Sequence, residues 1–286
     1  MKILFSGGGT LGPVTPLLAI HETIQQAHPK GEFLWVGTTR GPERELVERA
    51  GIRFFTLSSG KFRRYLSLWN VVDVVRIFIG FFQALRLLSR ENPTFCVSAG
   101  GFISVPVNLA AWFLGIPTWI HQQDIAIGLA NKITAPFARV ITTSLHLHLE
   151  SFPKRKTTWL GNPVRSEIMT GNRAKALKLF NLNPTLPVIF ATGGGTGSLR
   201  VNQLIIEAIP HLKGVCQVIH LFGKDRPREL VEHAVHSFFD YYQAQQFFTN
   251  EMGEAYAAAD LVISRGGFGT ITECAALHKP AIIIPK

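Results

Sequence analysis

Short apolar runs recur along the chain, and after each one the pattern changes to apolar residues spaced three and four apart. Phe33–Val36, Phe54–Leu57, Phe95–Ser98, Thr118–His121 and Val140–Thr143 are too short for helices and are bounded by turn residues, so they predict buried strands. Between them, stretches 16–27, 42–50, 71–90, 105–114 and 128–137 carry the helical period. The second half repeats the theme, with strands at Gln217–Phe222, Leu261–Ser264 and Ala281–Pro285 and helices near 200–212, 226–236, 251–259 and 270–278. Strands alternating with helices imply parallel sheets covered on both faces, an α/β architecture.

One local pattern occurs twice. Ile3-Leu4-Phe5-Ser6-Gly7-Gly8-Gly9-Thr10-Leu11-Gly12 and Val188-Ile189-Phe190-Ala191-Thr192-Gly193-Gly194-Gly195-Thr196-Gly197 each read as a strand, a glycine turn and a helix start. The copies lie a domain's length apart. This spacing argues for two Rossmann-like, doubly wound domains, residues 1–162 and 163–286, facing a cleft. Gly161-Asn162-Pro163-Val164-Arg165 has the turn chemistry of a hinge between them. The sequence stops on the apolar run Ala281–Ile284, with no covering helix after it. The expectation is a C-terminally incomplete second domain; the alternative is a natural short form ending on an edge strand.

Glycine at a strand-to-helix turn lets backbone amides approach a ligand, and the free N–H groups of the helix favour an anion. One such turn is weak evidence, because tight turns need glycine anyway. This chain has four: Gly7–Gly12, Gly100-Gly101-Phe102, Gly193–Gly197 and Gly266-Gly267-Phe268-Gly269. Each follows a strand, at the end where α/β sheets bind ligands, and together they fit two phosphorylated substrates. Glu273, close behind the last turn, suits a ribose diol or else a helix cap. Arg165 and Arg265 suit a diphosphate or else plain solvation. His121-Gln122-Gln123-Asp124 closes a strand with polar groups, as catalysts or as satisfied structural residues. His146 and His148 alternate along the chain, but no set of carboxylates or cysteines completes a metal site with them, so no metal is assigned.

Composition narrows the partners. Hydrophobic residues are 47% and charged residues 17%, a globular balance rather than a disordered one. A formal net charge of +10 favours an anionic partner. No dense Lys/Arg run interleaved with aromatics is present, which makes nucleic acid the weakest choice. Cys96, Cys216 and Cys274 form no CxxC pair and read as buried small hydrophobes of a reducing compartment. Residues 61–90 combine Lys61, Arg63, Arg64, Arg76, Arg86 and Arg90 with Trp69, Val71, Val72, Ile77, Phe78, Phe81 and Phe82. Asp73 and Arg76 interrupt what would have to be about twenty uncharged residues for a membrane span. The segment is therefore either a core helix or an interfacial helix with a basic rim, and its aromatic excess favours docking on an anionic membrane surface through Trp69, Arg76, Phe78, Phe81 and Phe82.

These segments together resemble the MurG family of glycosyltransferases. The resemblance runs along almost the whole chain: the first glycine loop with Pro16 behind it, Ser98–Ser104, Gly128–Lys132, Gly161–Arg165, Gly193–Ser198, and Ala255–Asp260 leading to Arg265 and Glu273. It implies a GT-B fold and inverting transfer of N-acetylglucosamine from UDP-N-acetylglucosamine to an undecaprenyl-diphosphate-linked acceptor (lipid I, giving lipid II) at the cytoplasmic face of the plasma membrane. No obligatory cofactor is implied. The resemblance places Gly8, Gly9, Gly100, Gly101 and Phe102 at the acceptor diphosphate. Thr10, Leu11, Gly12 and Asp124 would border the reacting sugar, and Arg165, Gly195, Thr196, Gly197 and Arg265 the donor diphosphate. Thr249 would lie near the uracil, Phe268, Gly269, Thr270, Ile271 and Thr272 along the nucleotide, and Glu273 on the ribose.

The chain also departs from that pattern. The family's first loop reads Gly-Gly-Thr-Gly-Gly-His; here Leu11 replaces a glycine and Pro13 the histidine, and proline has neither an N–H nor a titratable group. The family's His-Glu-Gln-Asn is His121-Gln122-Gln123-Asp124, the serine of its second loop is Gly195, and its glutamine-rich sugar-recognition segment would fall beyond residue 286. With Pro13 in place, His121 and Asp124 are the candidates for the general base. The alternatives are a GT-B transferase with another lipid or natural-product acceptor, and a non-catalytic nucleotide-sugar-binding relative.

Overall fold

The computed structural model describes residues 1–39, 41, 43–60, 69–248 and 250–285; of residues 69–72 and 74 it describes the backbone alone. The chain divides into two compact units, Met1–Pro163 and Val164–Lys286.

In the first unit, β1 (Lys2–Ser6), β2 (Glu32–Gly37), β3 (Arg53–Thr56), β4 (Phe95–Ser98), β5 (Thr118–Gln122), β6 (Val140–Thr143) and β7 (Thr157–Trp159) form one parallel sheet in the order β3-β2-β1-β4-β5-β6-β7. The helices α1 (Val14–Ala27), α2 (Glu43–Arg49), α3 (Trp69–Glu91), α4 (Ser104–Phe113) and α5 (Leu129–Thr134) connect the strands. Central β1 carries Ile3, Leu4 and Phe5, all fully buried, because a strand covered on both faces must be apolar throughout. Alternate residues then serve opposite layers: Ile3 and Phe5 pack with Val14, Leu17 and Trp35, while Leu4 packs with Leu34, Ala84 and Leu88. Burying each large side chain contributes roughly 1.5–3 kcal/mol.

The second unit begins with α6 (Ser166–Met169) and α7 (Arg173–Leu179). Its parallel sheet has β8 (Val188–Thr192), β9 (Gln217–Leu221), β10 (Tyr242–Gln245), β11 (Leu261–Arg265) and β12 (Ala281–Ile284) in the order β10-β9-β8-β11-β12. The helices α8 (Leu199–Ala208), α9 (Glu229–Ser237), α10 (Met252–Ala258) and α11 (Phe268–Ala276) complete it. Phe180, Phe190, Phe248 and Tyr256 stack in its larger core.

Both sheets therefore run outward from their first strand and reverse direction beside it, between β1 and β4 in one unit and between β8 and β11 in the other. Such a reversal opens a crevice at the carboxyl ends of the two strands. All four glycine turns lie there: Gly7–Gly12 after β1, Gly100–Phe102 after β4, Gly193–Gly197 after β8 and Gly266–Gly269 after β11.

The sequence expectation assigned nothing to β7, β10, α6 or α7. Both strands are edge strands, short and partly polar, so neither displays the continuous apolar run that marks an inner strand. β12, whose run of isoleucines looks internal, forms the opposite edge, with Ile282 and Ile283 exposed. The three cysteines are buried and free. No helix among the described residues is long and apolar enough to cross a membrane.

Candidate active site

In the first unit the two glycine loops touch. Gly100 and Gly101 both have positive φ, and a Cβ at Gly101 would stand 3.1 Å from the Gly8 carbonyl, so only glycine lets the loops come this close. The first loop is anchored from behind: Gly7 N–H donates to the Val36 carbonyl at 3.2 Å, and Trp35 Nε1 donates to the Gly7 carbonyl at 2.9 Å. Leu11 offers its carbonyl to the amides of Val14 and Thr15, each at 3.1 Å, and so starts α1. Pro13 stands at that helix start with φ −66°, where its missing N–H costs no hydrogen bond. Gly9, Thr10 and Gly12 face solvent, and Leu11 does so in part. In the second loop Ser104 Oγ donates to the Gly101 carbonyl at 2.8 Å, and Phe102 stays exposed.

His121 ends β5 and is 1% exposed. Its Nδ1 lies 2.9 Å from Thr142 Oγ1, and its Nε2 lies 3.1 Å from Ser144 Oγ and 3.2 Å from Asn162 Oδ1. The Asn162 Oδ1 can only accept, which puts the ring proton on Nε2 and leaves Nδ1 to accept from the Thr142 hydroxyl, itself an acceptor for Trp119 Nε1 at 2.8 Å. Burial pushes the imidazole down to about 4, against a smaller opposing effect of the Asn162 bond, so it is neutral at physiological pH. Both ring nitrogens are engaged within the unit, and no open face remains for a substrate proton. Asp124 is exposed, and desolvation of its carboxyl raises its pKa.

Gln122 explains one departure from the family pattern. Its Nε2 donates to the carbonyls of Asp124 at 2.8 Å and Ala126 at 3.3 Å, while its Oε1 accepts from Asn131 Nδ2 at 2.8 Å. A glutamate here could not donate to either carbonyl. The loop carrying Asp124 is thus held by an amide that only glutamine supplies in this arrangement.

In the second unit the Gly193–Gly197 loop is fastened by Gly194 N–H to Thr192 Oγ1 at 3.1 Å and by Lys224 N–H to the Gly195 carbonyl at 3.0 Å. Ser198 caps α8 behind it. Thr196 is exposed and Gly195 partly so, whereas Gly197 is buried, with its carbonyl accepting from Arg226 at 3.3 Å. Under the loop runs a buried chain that the sequence reading did not find. Tyr242 meets His220 at 2.8 Å, His220 meets Asn202 Oδ1 at 3.1 Å, and Asn202 Nδ2 donates to the Phe222 carbonyl at 2.9 Å.

Glu273 is the sixth residue of α11, beyond its first turn, so it is not the cap of that helix. It accepts a 2.7 Å hydrogen bond from the buried Tyr256 hydroxyl and stands 4.0 Å from the Arg165 guanidinium. Desolvation raises its pKa, and Arg165 and Tyr256 oppose that rise. Arg165 also pairs with Glu167 at 2.5 Å, so it is not a solvated surface charge. The sequence expectations at Arg165 and Glu273 thus meet in one cluster with two partners the sequence did not single out, Tyr256 and Glu167. Phe268, Gly269, Thr270 and Thr272 are half-buried along the start of α11, and Ile271 and Arg265 are exposed. Thr249 lies outside the described residues.

On the flank of the first unit, α3 exposes Phe78 (62%) and Phe82 (64%), joined by Phe113 of α4 (68%). Phe81, expected among the surface anchors, instead turns partly toward the buried cluster of Leu87 and Ala111, edge-on to Phe82 and Phe113. Arg76 is exposed and pairs at 3.5 Å with the buried Asp73. Of Trp69 only the backbone lies within the description, and Lys61, Arg63 and Arg64 lie outside it. Among the described residues no three His, Cys, Asp or Glu side chains cluster as metal ligands would.

Residues 3–143 match the Glycosyltransferase family 28 N-terminal domain, and residues 188–286 match the corresponding C-terminal domain. The UDP-N-acetylglucosamine–N-acetylmuramyl-(pentapeptide) pyrophosphoryl-undecaprenol N-acetylglucosamine transferase of Shouchella clausii is 40% identical over 285 residues, which cover 99% of this chain and 78% of that protein. The transferase of the same name from Staphylococcus carnosus is 38% identical over 287 residues, covering 99% and 77%. Among solved structures, Acinetobacter baumannii MurG matches with a TM-score of 0.69 at 24% identity, covering 100% of this chain and 77% of that one. A Staphylococcus aureus MnaA–UDP co-structure matches at 0.66 and 12% identity, covering 100% and 79%, a likeness of fold alone.

Proposed function

This chain belongs to glycosyltransferase family 28, and from that premise we propose that it transfers N-acetylglucosamine from UDP-N-acetylglucosamine to lipid I, making lipid II for peptidoglycan. The observation that carries the reading is the placement of paired glycine loops at the strand reversal of each sheet, with exposed turns at Gly9–Gly12 and at Thr196. Two anion-binding turns per unit suit a reaction whose two substrates are both diphosphates.

The acceptor hydroxyl attacks the anomeric carbon as the bond to UDP breaks, with inversion. Negative charge then grows on the leaving diphosphate, and fixed amides and a guanidinium aimed at that charge stabilise the transition state more than the ground state. The Gly193–Gly197 turn and Arg165 take this role. Glu273, held by Tyr256, receives the ribose hydroxyls, and Phe268–Thr272 lie along the nucleotide. Gly8, Gly9, Gly100, Gly101 and Phe102 take the acceptor diphosphate, and Thr10, Leu11 and Gly12 border the sugar. The attacking hydroxyl's proton goes to Asp124, whose raised pKa suits proton acceptance better than that of an ordinary carboxylate. His121 orients the end of β5 beneath it.

The exposed Phe78, Phe82 and Phe113, with the nearby Arg76, Arg86 and Arg90, support peripheral docking on an anionic membrane at the cytoplasmic face, where a lipid-linked acceptor would be met. The test is transfer of labelled N-acetylglucosamine from UDP-N-acetylglucosamine to a lipid I analogue. Lipid II formation is expected; UDP binding without any transfer would refute the catalytic reading.

A further inference from the structure

Glu43 is the first residue of α2, and its side chain is completely buried. It does not face its own helix. One carboxyl oxygen accepts from both the amide and the hydroxyl of Thr38, each at 2.6 Å. The other accepts from the Gly9 amide at 3.3 Å, across thirty-four residues of sequence. The carboxyl occupies space that side chains at Gly8 and Gly41 would fill, since a Cβ at either position would overlap it. Gly9 itself adopts φ +85°. Among the described residues, the neighbouring amides of Thr10, Leu11 and Gly12 donate to no protein acceptor.

The loop thus has one amide turned inward and satisfied, followed by three left for a ligand. We propose that Glu43 is a positioning residue for the acceptor. By holding the Gly9 amide inward, it fixes the turn in the conformation in which the Thr10–Gly12 amides face outward and can bind a diphosphate. This rests on the reading of that loop as the acceptor's, made above, and moves the diphosphate contact from the Gly9 amide, which Glu43 holds, to the amides of Thr10–Gly12. Backbone amides serve an anion only if they need not reorganise when it arrives, and a buried carboxyl with three donors supplies that rigidity.

Glu43→Gln is a near-isosteric test. Whichever way the amide is turned, its NH2 must face at least one N–H donor. Because Thr38 supplies two donors, the oxygen stays with Thr38 and the NH2 confronts the Gly9 amide. The variant should raise the KM for the lipid I analogue roughly tenfold to a hundredfold while the KM for UDP-N-acetylglucosamine stays within about twofold, and the Gly9 amide should lose its protection in NMR hydrogen exchange. Thr38→Val, which spares the Gly9 bond, should leave the acceptor KM near wild type. An unchanged acceptor KM in Glu43→Gln, or equal rises in both KM values, would overturn the assignment. So would a wild-type Gly9 amide that exchanges as fast as that of Thr10, a measurement that decides the matter even if the variant does not fold. Should the wild-type chain transfer no sugar, the transfer reading fails by itself. Titration with inorganic pyrophosphate then decides the role of Glu43, since a shift of the Thr10 amide resonance that is equal in wild type and Glu43→Gln would overturn it.

Discussion

Acidification should loosen the first unit through imidazoles that burial holds neutral, His21 and, shifted furthest, His121. The His121 imidazole titrates near 6.5 when the chain is unfolded and is held down to about 4 in the fold by burial. Below pH 6.5 the unfolded chain therefore binds a proton that the folded chain refuses, and stability rises with pH across that window. The sign is fixed: the contribution is intact above about 6.5, is lost as pH falls toward 4, and levels off below. The full shift corresponds to about 3 kcal/mol, of which about 2 kcal/mol is lost between pH 7 and pH 5. Protonation would also compel the Thr142 hydroxyl, which donates to Nδ1 while accepting from Trp119, to find another acceptor. All five tryptophans lie within Met1–Pro163, so urea unfolding followed by tryptophan fluorescence reports this unit alone. His121→Gln should be less stable at pH 7, because Thr142, Ser144 and Asn162 lose part of their pairing. That deficit should shrink by about 2 kcal/mol on going to pH 5, since glutamine has no proton to refuse. Parallel stability curves for wild type and variant would refute the reasoning.

Three further outcomes follow from the same geometry. Gln122→Glu removes both donors to the Asp124 and Ala126 carbonyls and should lower stability by about 1–3 kcal/mol; an unshifted urea midpoint would show that the amide network does not hold that loop. Glu273→Gln keeps an acceptor for Tyr256 but weakens the interaction with ribose hydroxyls, so calorimetric UDP affinity should fall about tenfold with little change in Tm. Glu273→Ala should also lower Tm, because the buried Tyr256 hydroxyl loses its partner, and equal UDP affinity in both variants would remove Glu273 from the nucleotide site. Phe78→Ser combined with Phe82→Ser should lower partitioning onto anionic vesicles roughly tenfold or more while sparing transfer to a water-soluble acceptor; unchanged vesicle binding would place the docking surface elsewhere.

Much of this was legible in the sequence, and the reasons differ by element. Inner strands such as β1 and β8 were visible because burial on both faces forces continuous apolar runs, and the repeated glycine turn behind them exposed the paired architecture. Edge strands β7 and β10 were hidden because Thr157-Thr158-Trp159 and Tyr242-Gln243-Ala244-Gln245 carry no such run. The ligand-facing glycines were visible as a local motif. The residues that hold them were not, since Glu43 reaches Gly9, and Tyr256 reaches Glu273, through contacts set by topology and not by spacing. A glutamate after Gly41-Pro42 signals only a helix start. That its carboxyl leaves the helix end for a neighbouring loop is settled by the adjacency of β1 and β2.

Two departures from the family pattern share a physical character, and it bears on where the proton goes. Pro13 sits where a helix start tolerates an absent N–H, and Gln122 sits where only an amide can serve two carbonyls and Asn131 at once. Each of these two substitutions removes a group that could carry or attract a proton. His121 is neutral, buried and bonded at both nitrogens, and the buried His148 reaches the Ile125 carbonyl at 2.9 Å. What remains in the first unit is the set of Thr10–Gly12 amides, which donate to no protein acceptor among the described residues, and the exposed carboxyl of Asp124. In the reading proposed above, catalysis depends less on a strong base in this unit than on the Gly193–Gly197 turn and Arg165 stabilising the departing diphosphate, because the attacking hydroxyl need surrender its proton only late, once the bond to UDP is largely broken. Asp124→Asn should then slow transfer less than loss of Arg165, the charge proposed above to act on the leaving group, and the two single-turnover rates measured side by side decide the order.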